Sequence, residues 1–558
     1  MPRPARGGPL ARRPRPGLLR SLSVSAGGPD GLRNRRTWSE GRPVPGVCCT
    51  RGVNLATIID PHPDDAVALF DRSHTTTYGE LRRQTGELRA GLVRLGVEPD
   101  DRVALLAPNN WFYVVSYLAA LGAGAAVVPL NPASTTAEIQ RQLAATGARV
   151  AVVGPSGREA FAGVDRAAAG LEHVLAPEGT RIDGALTLQD YFDVPGEGAS
   201  PDAVDRAPDD IAALLFTAGT AGTPKAAVLT HGNLLANLDQ VMRHPGLADR
   251  PDDVVLGVLP LFHIFGLNVV LGLALHGGGA VALVERFDPL SCVETIRAHG
   301  VTVVAGAPPM FEAWSTARGI DADAFRTVRM AVSGGAPLPV SVSEAFEARF
   351  GIPVWEGYGL TEAAPIVTTS LVGGEPRKGS IGVPLAGVEV RLVDFEGEDA
   401  LEGDSGEIWV RGPNVFPGYW HDEEATAAAL TSDGWLRTGD IAVVDDDGYL
   451  FIVDRAKDLI IVSGFNVFPT EVEEALLEHP GIAAAAVVGV EHPHSGETVT
   501  AFVVAEPGRH LEEDEVIEFT AERLARYKCP TKVTFVESLP QGLVGKVLRR
   551  ALRTGARQ

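Results

Sequence analysis

Four stretches of this chain hold residue types that can act on a phosphorylated substrate. The first is Thr217-Ala218-Gly219-Thr220-Ala221-Gly222-Thr223-Pro224-Lys225, which follows a short apolar run. Small residues let a backbone approach an anion, threonine hydroxyls donate, and a lysine supplies charge. The spacing is not that of the common P-loop: the glycines fall elsewhere, and Ala226 stands where Ser or Thr would hold magnesium. A flexible turn of small residues reads equally well. The second is Trp355-Glu356-Gly357-Tyr358-Gly359-Leu360-Thr361-Glu362. An aromatic between glycines can stack on a flat base, and Glu362 can hold a hard cation such as magnesium. A plain strand end capped at Thr361 is the alternative.

The third stretch pairs Trp435-Leu436-Arg437-Thr438-Gly439-Asp440 with Asp454-Arg455-Ala456-Lys457-Asp458. Asp440 can accept hydrogen bonds from ribose hydroxyls, and Arg455 can meet phosphate or ribose. A solvated charged turn is the other reading. The fourth, Leu539 to Lys546, ends in Gly545-Lys546. A glycine before a lysine makes a mobile tip that can insert a point charge, or merely a C-terminal loop.

The elements that must position these residues alternate. Thr77 and Glu80 form a capping box, with Leu81, Leu88, Leu92 and Leu95 on one helical face. Strands are expected at 102–107, 125–130, 149–153, 212–216, 281–284, 301–305 and 330–333, with a helix at 111–121. Such alternation argues for a largely parallel sheet covered on both faces. After about residue 380 shorter strands are expected at 388–394, 407–411 and 441–454, the last turning at Asp447-Gly448. A helix opening on a second capping box, Thr470 and Glu473, then a strand at 484–490 and a helix at 514–527 complete the pattern. The expected organisation is a large α/β body with a β-rich part over 53–455 and a small mobile α+β domain over 459–558. A hinge at 456–458 joins them.

Length and charge narrow the function. With 558 residues the chain has ample room for a buried core and more than one domain. Residues 1–51 carry eleven Arg against Asp30 and Glu40, a balance of +9, so the rest stands at −31 of a net −22. That excess of acid argues against a nucleic-acid partner. The first 52 residues read as a disordered basic tail or as a start placed too far upstream. Four cysteines without metal-ligand spacing fit a reducing, cytoplasmic setting. Between Asp253 and Glu285 no residue is charged, yet Pro260, His263, Asn268, His276 and Gly277-Gly278-Gly279 interrupt the run. A buried strand, loop and helix is expected there rather than a membrane span, a reading that leaves room for peripheral membrane contact.

Taken in order, these motifs resemble the adenylate-forming superfamily of acyl-CoA synthetases, luciferases and peptide-synthetase adenylation domains. The resemblance covers roughly residues 53–555. It includes Pro260-Leu261-Phe262-His263, Ser333-Gly334-Gly335-Ala336-Pro337, Tyr358 to Glu362, Gly406-Glu407-Ile408, Thr438-Gly439-Asp440 and Gly545-Lys546. Bacterial long-chain fatty acid–CoA ligases look closest, through 259–266, 454–469 and 527–540.

The resemblance implies two half-reactions. A carboxylate attacks the α-phosphate of ATP, giving acyl-AMP and pyrophosphate, and the coenzyme A thiol then displaces AMP. It implies that Thr217, Gly219, Thr220, Gly222 and Lys225 hold the β- and γ-phosphates. Gly335, Ala336, Tyr358 and Gly359 would line the adenine, and Asp440 and Arg455 the ribose. Thr361 would sit by the α-phosphate, Glu362 by magnesium, and His263 beside an acyl pocket also shaped by Trp314 and Gly334. Lys546 would bridge carboxylate and α-phosphate as charge develops. It must then leave, so the small domain rotates about Lys457 and brings Gly464 to the pantetheine channel.

Departures from the family pattern are Ala218 and Ala221 for hydroxyl residues, Ala226 for glycine and Val544 for a polar residue. The expected substrate is a medium- or long-chain fatty acid. Transfer of the adenylate to an acyl carrier protein thiol or an amine is a second reading. A non-catalytic binder of acyl-adenylate or CoA is a third.

Overall fold

The computed structural model describes residues 53–556, apart from 73, 192–201, 218–223, 245–249, 373–374, 402, 456–457, 463–464, 493–495 and 541–546. The basic segment 1–52 therefore lies outside the described residues. Two large sheets form the body. One has nine strands, with a parallel centre that runs Val354–Gly359, Met330–Ser333, Val303–Gly306, Val254–Gly257, Ala280–Leu283 and Val67–Asp71. The antiparallel strand Ile366–Thr369 lies beside Val354–Gly359. The second sheet has eight strands, with Ala126–Leu130, Arg102–Leu106, Val150–Val153 and His173–Ala176 parallel at its centre. The runs Val127-Val128 and Val150 to Val153 are buried throughout, as strands covered on both faces must be.

Local sequence explains the helices between these strands. Thr77, Thr135 and Thr230 each accept from the third helical N–H and receive the reciprocal side chain, so all three helices start on capping boxes. The uncharged stretch 253–285 folds as strand Val254–Gly257, a π-helix Phe265–Gly272 continuing into Leu273–Gly277, and strand Ala280–Leu283. Among the described residues no helix is long and apolar enough to cross a membrane.

The nine-stranded sheet separates two interiors. On one face Phe311, Trp314, Phe325 and Phe346 pack edge to face with Val304, Ala331 and Leu256. On the other face Val255, Val303 and Ala305 meet the π-helix. Alternation along each strand sends Val304 one way and its neighbours the other. Trp314 therefore lies on the far side of the sheet from the π-helix that follows His263, and the expectation that it shapes the acyl pocket is corrected.

A third sheet, Glu389–Val393, Gly406–Arg411, Leu436–Val444 and Leu450–Arg455, is antiparallel throughout. Gly448 turns its last hairpin at φ +87°. The fourth sheet belongs to the small C-terminal α+β part, where Ile482–His492 pairs with Gly496–Ala505 and Lys532–Phe535 adds in parallel.

Two expectations fail in this part. The helix after residue 468 runs Pro469–Leu477 with Phe468 as its N-cap and no side-chain cap. Thr470 is inside it and donates its N–H to Asp454 at 2.9 Å, while Glu473 takes Val487 N–H and Arg549. Tertiary partners outcompete the local box. The helix expected over 514–527 is Glu513–Ala521, and turns follow it.

Candidate active site

Strand Val354–Gly359 leaves the parallel sheet at its C-terminal end, where open α/β sheets carry ligands. Glycine is required at 359, because a Cβ there would lie 2.0 Å from the Pro365 carbonyl oxygen. Gly335 sits at φ +83° with open space where a side chain would project, as a close backbone approach to a ligand demands. Ala336 and Gly335 follow strand Met330–Ser333, the immediate neighbour of Val354–Gly359.

The Tyr358 hydroxyl donates to Asp440 Oδ2 at 2.8 Å. Asp440 Oδ1 pairs with Arg455 Nε at 3.0 Å. Asp440 and Arg455 face each other across the hairpin of the third sheet, and the carboxylate is buried. Burial, and next the Asp440 charge, push the Tyr358 phenol well above its ordinary pKa, so it stays protonated and donating. The turn before Asp440 is fixed too. Glu407 accepts Gly439 N–H at 2.8 Å, and Thr438 bonds both the Ile408 carbonyl and Asp440 N–H.

Three residues beyond Gly359, the short helical turn Thr361–Ala363 places Glu362. Its Oε1 accepts the Tyr419 hydroxyl at 2.7 Å. Lys225 Nζ lies 5.4 Å from the Tyr419 ring centroid and 3.8 Å from Asp422 Oδ2. Thr217 and Lys225 are opposite one another in an antiparallel pair, so the two ends of the phosphate-loop candidate are clamped side by side. Gly219, Thr220, Gly222 and the replaced positions Ala218 and Ala221 lie outside the described residues. Ala226 is within the strand, where its carbonyl accepts Trp420 N–H at 2.8 Å. Tyr419 and Asp422 were not anticipated from sequence. Their place follows from pairing: Gly418-Tyr419 lies against Ala227-Val228 beside Lys225, and a Cβ at 418 would press on Thr426, at 2.6 Å.

His263 is largely buried at the start of the π-helix, and its Nε2 has no protein partner among the described residues. Burial lowers its pKa, which keeps the imidazole neutral at pH 7. Two turns of backbone fix this region: Asn268 donates to the Leu234 and Ala364 carbonyls, and a Cβ at Gly334 would meet the Phe265 ring at 3.0 Å. Beneath the π-helix lies a cavity of about 80 Å³, bounded by Gly357 and Ile366 at the strand ends. His263 and Gly334 are not among its lining residues. Lys457, Gly464 and Lys546 lie outside the described residues.

The residues present suit a nucleotide. An aromatic, a buried carboxylate and an arginine are joined at one end of the five-residue stretch Tyr358 to Glu362, with a carboxylate and a lysine at the other. They suit magnesium only as an ion shared with phosphate oxygens. Glu362 is a single carboxylate, and no group of three His, Cys, Asp or Glu among the described residues could cage a metal.

Comparison with known proteins agrees with this geometry. The family model described as AMP-binding enzyme matches residues 56–420, and that of the AMP-binding enzyme C-terminal domain matches 471–546. A feruloyl-CoA synthase from an Amycolatopsis species is 39% identical over 499 residues, covering 89% of this chain and 96% of its own. The 4-coumarate–CoA ligase 3 of Oryza sativa subsp. japonica is 37% identical over 485 residues, 86% of each chain. The ATP-bound crystal structure of MatB from Rhodopseudomonas palustris superposes with a TM-score of 0.83 at 33% identity, covering 91% of this chain and 99% of that one. Sequence, topology and the joined site thus converge, and the chain belongs to the AMP-binding enzymes.

Proposed function

We propose that this chain is an AMP-forming acid–CoA ligase for an aryl-substituted carboxylic acid. Its co-substrates are ATP and coenzyme A, with magnesium. One observation carries the reading. Tyr358 and Glu362 leave the same strand end, yet each is held by a different element, Tyr358 by Asp440 and Glu362 by Tyr419. The base-and-ribose end of a nucleotide and its phosphate end are thereby fixed a few residues apart. The acyl group is assigned as aryl rather than the fatty chain the sequence suggested, because the relatives at 37–39% identity are named for ferulate and 4-coumarate.

In this account Gly335, Ala336, Tyr358 and Gly359 cradle the adenine, and Asp440 with Arg455 takes the ribose. Thr217, Gly219, Thr220, Gly222 and Lys225 hold the β- and γ-phosphates. Thr361 meets the α-phosphate, and Glu362 would hold magnesium, whose charge offsets that of the polyphosphate. The substrate carboxylate oxygen attacks the α-phosphorus, and the bond to the β-phosphate bridging oxygen breaks. Lys546 stabilises the charge on the five-coordinate phosphorus. In the second step the thiol sulfur attacks the acyl carbon and AMP leaves with the carboxyl oxygen. For that step the domain after 456–458 turns about Lys457, Lys546 withdraws, and Gly464 borders the thiol's path. His263, neutral and facing the acyl side, positions the carboxylate without adding charge.

The test is product analysis with ATP, magnesium, coenzyme A and a set of aryl and alkyl acids. Acyl-CoA and AMP in equal amounts from an aryl acid are expected. Acyl-AMP that accumulates without thioester would assign the acceptor to a carrier-protein thiol or an amine instead.

A further inference from the structure

The cavity under the π-helix descends along the nine-stranded sheet. Its sheet wall starts at Gly357, passes Ala305 paired with Val332, and reaches Val303 paired with both Val255 and Met330. That is four residues along the strands, roughly 13 Å at ~3.3 Å per residue. Because ligands enter open α/β sheets at the strand C-termini, the acid's carboxylate belongs at the Gly357 end and its tail at the Met330 end.

Among the described residues, polar side chains meet this cavity only near its two ends. Thr369, opposite Gly357 in register, already accepts Leu371 N–H through its hydroxyl at 3.2 Å. At the far end Asp253 is buried, and its two oxygens are engaged by Thr302, Arg329 and Arg250 N–H. Arg250 is exposed on the outer rim. Between these ends the walls are Val255, Val303, Met330 and Val332 facing Val269 and Leu273. None of these side chains can donate to a hydroxyl, and the one acceptor among them is the weak thioether sulfur of Met330.

Resting on the ligase reading above, we infer that the preferred acid ends in an apolar ring or alkyl-substituted ring, and that a 4-hydroxyl is selected against. Met330 and Val303 are the residues that set this preference. A phenol carried into this stretch leaves water for at most the weak thioether acceptor of Met330, whereas an unsubstituted ring loses nothing. The selectivity is thus opposite to that implied by the hydroxylated acids in the relatives' names. Hydrophobic pockets discriminate against an added hydroxyl by at most about a hundredfold, so a moderate ratio is expected.

The experiment is kcat/KM for adenylate formation, by ATP–pyrophosphate exchange, with 3-phenylpropenoate, its 4-methyl, 4-hydroxy and 4-carboxy analogues, and octanoate. The unsubstituted and 4-methyl acids should exceed the 4-hydroxy acid by about ten- to a hundredfold. Met330→Gln or Val303→Thr should narrow that ratio, whatever it does to the overall rate. Equal or better use of the 4-hydroxy acid overturns the inference and leaves the ligase reading standing. So does preference for the 4-carboxy acid, which would make Arg250 the determinant, or for octanoate. No exchange with any acid removes the ligase reading and the inference with it.

Discussion

The Asp440 carboxylate is the residue on which the proposed nucleotide end of the site turns. It is buried and joins the Tyr358 hydroxyl to Arg455. Asp440→Asn removes a charge-assisted pair worth ~1.5–3 kcal/mol, so kcat/KM for ATP should fall roughly ten- to a hundredfold. ATP titration at saturating acid checks this, and an unchanged value would mean the trio is structural. Glu356, one residue before Gly357, gives a prediction about pH. Burial pushes its carboxyl from 4.5 up to about 7, and backbone N–H groups of Leu338 and Gly379 only partly oppose that. Below about pH 4.5 the group is protonated in folded and unfolded chains alike. As pH rises through 7 the unfolded chain has released the proton that the folded state keeps, so stability is lost over this window. Glu356→Gln should therefore melt higher than the parent at pH 8, by on the order of 3 kcal/mol in stability, and the gap should close at pH 4.5. A gap independent of pH would remove the assignment.

At the scale of elements the sequence was most legible where one local rule ruled alone. The capping box at Thr77 marks its helix start, and the apolar runs at 102–107, 125–130, 149–153, 212–216, 281–284, 301–305 and 330–333 match strands within a residue or two, while Val67–Asp71, His173–Ala176 and Val354–Gly359 were not read as strands. The uncharged stretch 253–285 folded as strand, helix and strand, although the π-form of Phe265–Gly272 has no simple sequence signature. Local reading failed where distant groups competed for the same atoms. Thr470 and Glu473 have capping-box spacing, but Asp454 and Arg549, far away in sequence, claim them. Trp314 looked available to a pocket only because a strand's two faces cannot be assigned before its neighbours are known. In the folded chain it belongs to the aromatic cluster with Phe311 and Phe346. The candidate site showed the same division. Tyr358, Glu362, Asp440 and Arg455 stood out by motif. Tyr419 and Asp422 become visible only when Gly418-Tyr419 pairs with Ala227-Val228 beside Lys225.

At the scale of the molecule, two large sheets and a four-stranded antiparallel third sheet meet near one strand end, and a small C-terminal part follows 456–458. Arg549, three residues beyond Lys546, is tied to Glu473 at 2.7 Å and to Asp458 at 3.6 Å. The segment after Lys546 is thereby anchored to the last residue of the proposed hinge and to helix Pro469–Leu477 beyond it, so the two would move together. Lys546→Ala should cut acyl-AMP formation by about 10²–10³-fold and largely spare thioester formation from supplied acyl-AMP. Equal loss of both steps would defeat the two-conformation account.

The most direct test of acid activation follows the phosphorus. With ATP labelled at the α-phosphate, magnesium and an aryl acid but no coenzyme A, label should pass to acyl-AMP with stoichiometric pyrophosphate, and only when acid is present. Cleavage to ADP and phosphate, or release of AMP at the same rate without acid, would contradict the account.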